Sequence, residues 1–425
     1  MLHCIGMVHF MQSTRALGGK RRSVGRHKGG GAVCGEAGAV AMASELRVAL
    51  QKRHAFIKSM QMQNKVPTEE QLSSFLAAVV SEASAISADH PDLAEQVDVA
   101  AALPQDLAFD LCDDALEDLI SKARAAEIAD AMENVKPTDE ELGSVSLAVA
   151  KLWELDVNRL APGLDYVLDL QTGKKFYDQD VDTAEHPLFK YFSSAVFRTR
   201  PTYSLFYHLL DNYESATGVE ENATDEEKKE TWTFINTICT TPVMKYVFQY
   251  LSATDLIGEE EGKNDMEAFK RWLYRTWFYF YRRDGANDSS AFEHAFLGEL
   301  RDDKVIGMHN WMQIMVEEKR GNLNYTGYIK PRRRGTELPD EDEHVLGIQF
   351  EWKGCLKPMS SMFVGVSPEF EIALYTLVFL AQDENIDDGK VRAIIEEGST
   401  EIMVVVHKNG RHKPRIGSAF PELVE

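Results

Sequence analysis

Helical and strand-like patterns occupy different parts of this 425-residue chain, and that separation limits its fold more than any other feature. As far as Arg283 the apolar residues recur at helical spacing, whereas after Ser290 short alternating runs take over. Strands and helices that do not alternate cannot wind a parallel βαβ sheet, so the class is α+β. The expected arrangement is a helical N-terminal region followed by a two-lobed domain of antiparallel sheets with flanking helices.

Three zones follow from texture. In residues 1–42, Arg15, Lys20, Arg21, Arg22, Arg26 and Lys28 face one acid, Glu36. This zone reads as a flexible basic leader upstream of a natural start at Met42, or as an organelle transit peptide. Its opening MLHCIGMVHFM reads as a poor secretory signal, because positive charge follows the apolar run instead of preceding it. Residues 43–140 are rich in Ala and acids, with helix starts at Thr68 and Thr138. Roughly four or five helices of ordinary length are expected there, with no chemistry of their own.

Residues 141–425 form the third zone. A helix through Trp153–Asp156 should stop near Pro162-Gly163, and amphipathic helices are expected over Thr231–Tyr250 and Met266–Arg283. The stripe of Phe269, Trp272, Leu273, Thr276, Phe280 and Tyr281 on the last of these reads as core. His309–Lys319 reads as a helix ended by Gly321, and Val345–Trp352 and Met362–Val366 as strands. Ser367-Pro368-Glu369 opens a further helix to about Leu380. Glu401–His407 and His412–Phe420 read as a closing hairpin.

A formal charge of −22 argues against indiscriminate binding of nucleic acid or anionic membrane over the whole surface. A local basic groove stays open, since salt screens fields beyond about 10 Å. Two islands fit that role: Lys330 with Arg332, Arg333 and Arg334, and Lys408 with Arg411, His412, Lys413 and Arg415. Each also reads as a solvated face, though on so acidic a chain such islands suit phosphate contacts. The five scattered cysteines lack a CxxC and suit reduced thiols in an intracellular protein. No apolar run reaches the roughly 20 residues of a membrane span.

The densest chemistry lies in Phe292–Lys319, where His294 and His309 stand 15 positions apart. Two short strands between them, Ala295–Leu300 and Lys304–Met308, joined at Arg301–Asp303, would fold the imidazoles toward one cleft. One imidazole can take a proton while the other returns one, and Lys357 supplies a cation for a charged phosphorus intermediate. Taken singly, His294 reads as a structural strand residue, His309 as a helix cap and Lys357 as an exposed lysine beside Pro358. A dedicated zinc site is not expected, because the HExxH spacing is missing. Phe420 reads either as a base-stacking ring or as core.

The collinear stretches LWELDVNRLAPGLDYVLDLQ, TPVMKYVFQYL, DSSAFEHAFLGEL, VIGMHNWMQIMVEEKRGNLNYTGYIKPRRRG, LKPMSSMFVGVSPEFEIALYTLVFLA and IGSAFP resemble the EndoU (XendoU-type) endoribonucleases, poly(U)-specific enzymes. The resemblance runs from Leu142 to Pro421. It implies that His294, His309 and Lys357 are catalytic, with Glu293 and Glu299 in support. Ser361 matches the hydroxyl residue linked to uracil preference, and Ser418 and Phe420 fall in the terminal substrate-binding motif. There the family's tyrosine is replaced by Phe420, which keeps a ring and loses a hydroxyl.

The resemblance further implies cleavage of single-stranded, U-containing RNA to 2′,3′-cyclic phosphate and 5′-hydroxyl ends, with DNA inert for want of a 2′-hydroxyl. The implied roles are His309 as base, His294 as acid and Lys357 as stabiliser of the phosphorane. Stimulation by manganese, a monomeric state and a cytoplasmic or nuclear location are expected with it, or an organelle if residues 1–42 act as a transit peptide. The alternative is a catalytically weak RNA-binding protein on the same scaffold.

Overall fold

The computed structural model describes residues 125–422 except 126, 163–164, 176, 178–180, 194, 331–343, 386–388, 396–399 and 411–413. The leader at 1–42, most of the helical zone at 43–140 with its start at Thr68, and Arg332–Arg334 lie outside the described residues.

Helix starts are written locally. Thr138 caps α1 (Asp139–Leu142) in a reciprocal box with Glu141, and Ser144 caps α2 (Val145–Glu154). After the antiparallel pair β1 (Tyr166–Leu168) and β2 (Phe189–Phe192) come α3 (Ala195–Thr199) and α4 (Pro201–His208). The single helix expected over Thr231–Tyr250 is instead two, α5 (Asp225–Ile238) and α6 (Pro242–Ala253). Pro242 carries no N–H and suits only a first turn, so the chain breaks before it and Thr241 caps the new helix. α7 (Met266–Trp277) is shorter than expected, and its buried face is Phe269, Leu273 and Trp277. The aromatic stripe is core, but Phe280 and Tyr281 lie beyond the helix.

The strand-rich part follows Ser290. A π-helical turn (Glu293–Leu297) leads into β3 (Glu299–Arg301) and β4 (Lys304–Ile306). The two-residue turn Asp302-Asp303 has both φ values positive, as a tight hairpin requires. α8 (Trp311–Lys319) comes next, ending at Gly321 with φ +76.

Strands β5 (Leu323–Tyr328), β6 (Val345–Trp352) and β7 (Cys355–Phe363) form an antiparallel sheet in that order. The expected strand at Met362–Val366 belongs to β7, which begins earlier and runs straight through Lys357-Pro358. A register shift opposite Pro358, between Ile348 and Phe350 of β6, absorbs the missing backbone donor.

Ser367 opens α9 (Pro368–Asn385), its hydroxyl accepting from Phe370 N–H at 3.1 Å. This helix is buried nearly all round, with Phe370, Leu374, Leu377, Val378 and Ala381 fully buried beside the polar Glu369, Glu371 and Thr376. It packs against α2, α4, α6 and the closing sheet, so one continuous core joins the helices to the strands. That sheet has the order β10-β9-β8, from β8 (Lys390–Ile395), β9 (Thr400–Asn409) and β10 (Arg415–Glu422). The closing hairpin was legible in the sequence and β8 was not. No helix among the described residues is long and apolar enough to cross a membrane.

Candidate active site

His294 does not sit on a strand. It lies in the π-helical turn, where Gly298 N–H reaches back five residues to Glu293 C=O at 2.8 Å. The turn starts with a reciprocal cap. Ser290 N–H donates to the Glu293 carboxyl at 2.8 Å, and Glu293 N–H donates to the Ser290 hydroxyl at 3.1 Å. Burial, then the neighbouring Glu221 and Glu299, push the Glu293 carboxyl well above the usual range. Its place is therefore structural, at the base of the turn that carries His294.

The β3–β4 hairpin then returns the chain to the same turn. Met308 N–H donates to His294 C=O at 3.1 Å, and His309 N–H donates to Ala295 C=O at 2.9 Å. The two histidine-bearing segments are thus joined backbone to backbone. Gly307, at φ +64, allows this approach, because a Cβ there would stand 1.8 Å from the His294 carbonyl oxygen. His309 precedes α8 and does not cap it. Asn310 is the cap, accepting from Met312 and Gln313 N–H at 3.0 Å each and donating to the Glu371 carboxyl at 2.6 Å.

Both imidazoles are held at Nδ1. His294 Nδ1 meets Glu299 Oε2 at 2.6 Å, and the same oxygen forms an ion pair with Arg283 at 3.2 Å from Nε, whose N–H donates to the Ser289 hydroxyl at 3.0 Å. His309 Nδ1 lies 2.9 Å from the Ser361 carbonyl, which can only accept, so Nδ1 carries the hydrogen. Ser360, whose hydroxyl donates to Met308 C=O at 2.6 Å, stands 3.3 Å from the same nitrogen. Each ring therefore has Nε2 left for chemistry. Phe420 stacks on the His309 ring with centroids 4.8 Å apart and a 23° tilt, closing one face of the imidazole.

Lys357 completes the centre from β7 and is 9% exposed, not the solvated lysine its proline neighbour suggests. Burial lowers its ammonium to about 8, so it stays mostly charged at neutral pH. Burial and then the Lys357 charge, with His294 beyond it, hold half-buried His309 well below the usual imidazole range. His294 is also lowered, first by burial and then by Arg283 and Lys357, against the opposing pull of Glu299. The Lys357 charge thus acts on both imidazoles, and His294 acts on His309. One imidazole is tuned toward the neutral form, while the other keeps a carboxylate that favours the proton.

Of the other expected site residues, Ser361 contributes its carbonyl to His309, and Ser418 lies on β10 opposite His407. Arg283, Ser360 and Asn310 were missed. Only Asn310 left a local sign, as a cap residue before an apolar helical run.

Among the described residues no group of His, Cys, Asp or Glu side chains is placed to hold a metal ion. Glu299 is committed to His294 and Arg283, and Glu293 to Ser290. These committed carboxylates do not fit a divalent cation.

Glu299→Gln provides a test of the carboxylate's role. Glu299 raises the His294 pKa, so its loss lowers that pKa further and leaves less imidazolium at a given pH. The alkaline limb of kcat should move to lower pH, with kcat at neutral pH down roughly 10- to 100-fold. An unmoved limb in a pH–rate series would remove Glu299 from this role.

A family model described as Endoribonuclease XendoU matches residues 144–421. Uridylate-specific endoribonuclease C of Danio rerio is 41% identical over 281 residues, spanning 64% of this chain and 86% of its own. Poly(U)-specific endoribonuclease-B of Xenopus laevis is 41% identical over 282 residues, spanning 64% and 91%. A solved structure of XendoU, a splicing-independent snoRNA-processing endoribonuclease, superposes with a TM-score of 0.56 at 39% identity. That match covers 68% of this chain and 99% of the other.

Proposed function

The chain belongs to the XendoU endoribonuclease family, and from that premise we propose that it cleaves single-stranded RNA on the 3′ side of uridines through the substrate's own 2′-hydroxyl. His309 Nε2 takes the hydroxyl proton, and the 2′-oxygen bonds to the adjacent phosphorus. The Lys357 ammonium faces the added charge of the phosphorane. As the bond from phosphorus to the 5′-oxygen breaks, His294 Nε2 gives that oxygen a proton. The ends are a 2′,3′-cyclic phosphate and a 5′-hydroxyl.

One observation carries the reading: two imidazoles, each fixed through Nδ1, share a buried centre with Lys357. The assignment of base and acid follows from their partners. A carbonyl beside His309 Nδ1 favours the neutral ring, and the Glu299 carboxylate beside His294 favours the charged one. Uridine preference is assigned to Ser361, Ser418 and Phe420. Manganese enters only as a stimulator acting on RNA placement, with no protein ligand assigned, and no step needs a second copy of the chain.

The test uses a short RNA with one uridine, in manganese and in EDTA, with product masses read by mass spectrometry. A cyclic-phosphate product is expected, and a 2′-deoxy sugar at that uridine should abolish it. Cleavage of the deoxy substrate at the same bond would sink the mechanism. Tight binding with no product in either condition would favour the RNA-binding alternative.

A further inference from the structure

Strand β10 carries a charge that the chemistry above leaves unused. Its pairing with β9 shifts register between Ile416 and Ser418, so one extra residue, Gly417, interrupts the alternation. Without that bulge, Arg415 would face the side opposite Ser418 and Phe420. With it, Ile416, Ala419 and Pro421 turn inward, while Arg415, Ser418 and Phe420 share the half-buried face. Phe420 stacks on His309, so this face lines the catalytic cleft. Arg415 stands five residues from Phe420, roughly 15 Å along a strand.

The Arg415 guanidinium lies between two tyrosines, 5.5 Å from the Tyr279 ring centroid and 5.6 Å from that of Tyr281. Arg200, Arg283, Arg301, Arg320 and Arg392 each pair with a carboxylate. Arg415 has no acidic partner among the described residues, and its polar contact is the Phe280 carbonyl at 3.5 Å. Tyr279 is 55% exposed, a large ring open to a partner. Arg283 ties this corner to the chemistry, since it binds the Gly417 carbonyl at the bulge, the Tyr281 hydroxyl and the Glu299 carboxylate that holds His294.

We propose that Arg415, Tyr279 and Tyr281 form a subsite for a nucleotide beyond the two that border the cleaved bond, with Arg415 on its phosphate and its base stacked on Tyr279. A planar cation held between aromatic rings suits a phosphodiester oxygen pair, and an exposed phenol ring accepts any base face. The subsite rests on the endoribonuclease reading and extends it from one nucleotide to a tract of single strand.

The experiment pairs binding with cleavage. Binding is measured by anisotropy on a labelled RNA oligonucleotide with 2′-deoxyuridine at its single uridine, across a salt series. Cleavage is measured on a uridine dinucleotide and on the all-ribose oligonucleotide.

Arg415→Gln should flatten the slope of log affinity against log salt by about 0.7, the value of one phosphate contact on a single strand. Arg415→Lys should restore that slope. Tyr279→Ala should weaken binding about 5- to 150-fold with the slope unchanged. Oligonucleotide KM should rise in Arg415→Gln and Tyr279→Ala, while the dinucleotide, too short to reach the corner, should be cut as by the wild type.

An unchanged salt slope in Arg415→Gln, or an equal loss on both substrates, overturns the subsite. If the wild type binds the oligonucleotide and cuts neither ribose substrate, the enzyme reading fails while the binding comparison still decides the subsite.

Discussion

His309→Ala should lower kcat on a single-uridine RNA by about 10²- to 10⁴-fold, the usual contribution of one general base. At 1.36 kcal/mol per tenfold, this is about 3–5 kcal/mol of transition-state stabilisation. The loss should fall on kcat more than on KM, because the proton is taken in the transition state. The fold should survive. His309 is half-buried, and the bond that joins its segment to Ala295 uses the backbone N–H, which alanine keeps. Thermal melts of the two proteins should therefore nearly overlay. A variant that keeps more than a tenth of wild-type kcat would sink His309 as the base.

The wild-type pH profile should agree in sign. His309 sits well below the usual imidazole range, so the base remains neutral and active through mildly acidic pH. On the alkaline side the rate should fall as His294 loses its proton, and fall again as the Lys357 ammonium titrates at about 8.

The second large effect comes from a residue with no functional group. Gly307→Ala should abolish cleavage and destabilise the fold by about 1.5–3.5 kcal/mol. The left-handed backbone alone costs an L-residue about 1–2 kcal/mol. The new Cβ, 1.8 Å from the His294 carbonyl oxygen, also forces the Met308–His294 hydrogen bond apart, worth about 0.5–1.5 kcal/mol. Both histidine segments hang on that junction, so the imidazoles separate together. Urea denaturation and turnover on the same preparation provide the check. A variant of wild-type stability and turnover would show that the junction is dispensable. Unlike His309→Ala, this change should move stability and turnover together, which separates a positioning defect from a chemical one.

Legibility in the sequence followed the range of the interaction. The Thr138 and Ser367 caps, the Val345–Trp352 strand and the hairpin turn at Asp302-Asp303 are set by neighbours within a few residues, and the structure keeps them. The break at Pro242 was equally local and could have been read from the Thr-Pro step. The π-helical turn could not, because its reach of one extra residue depends on the hairpin that packs beneath it. The strand around Lys357 was hidden for a related reason: Pro358 argues against a strand until the register shift is seen, where Pro358 and Met359 stand against the single β6 residue Gln349.

The sequence by itself determined the α+β class, through the segregation of its periodicities, and named His294, His309 and Lys357 through collinear motifs. Only the tertiary structure decided how those groups are tuned. The Ser361 carbonyl and Phe420 ring on His309 and the burial of Lys357 join segments far apart in the chain, and Glu299 and Arg283, though near His294 in sequence, meet it only through the folded turn. Protonation depends on dehydration and on charges within a few ångströms, and both are fixed only when the core closes.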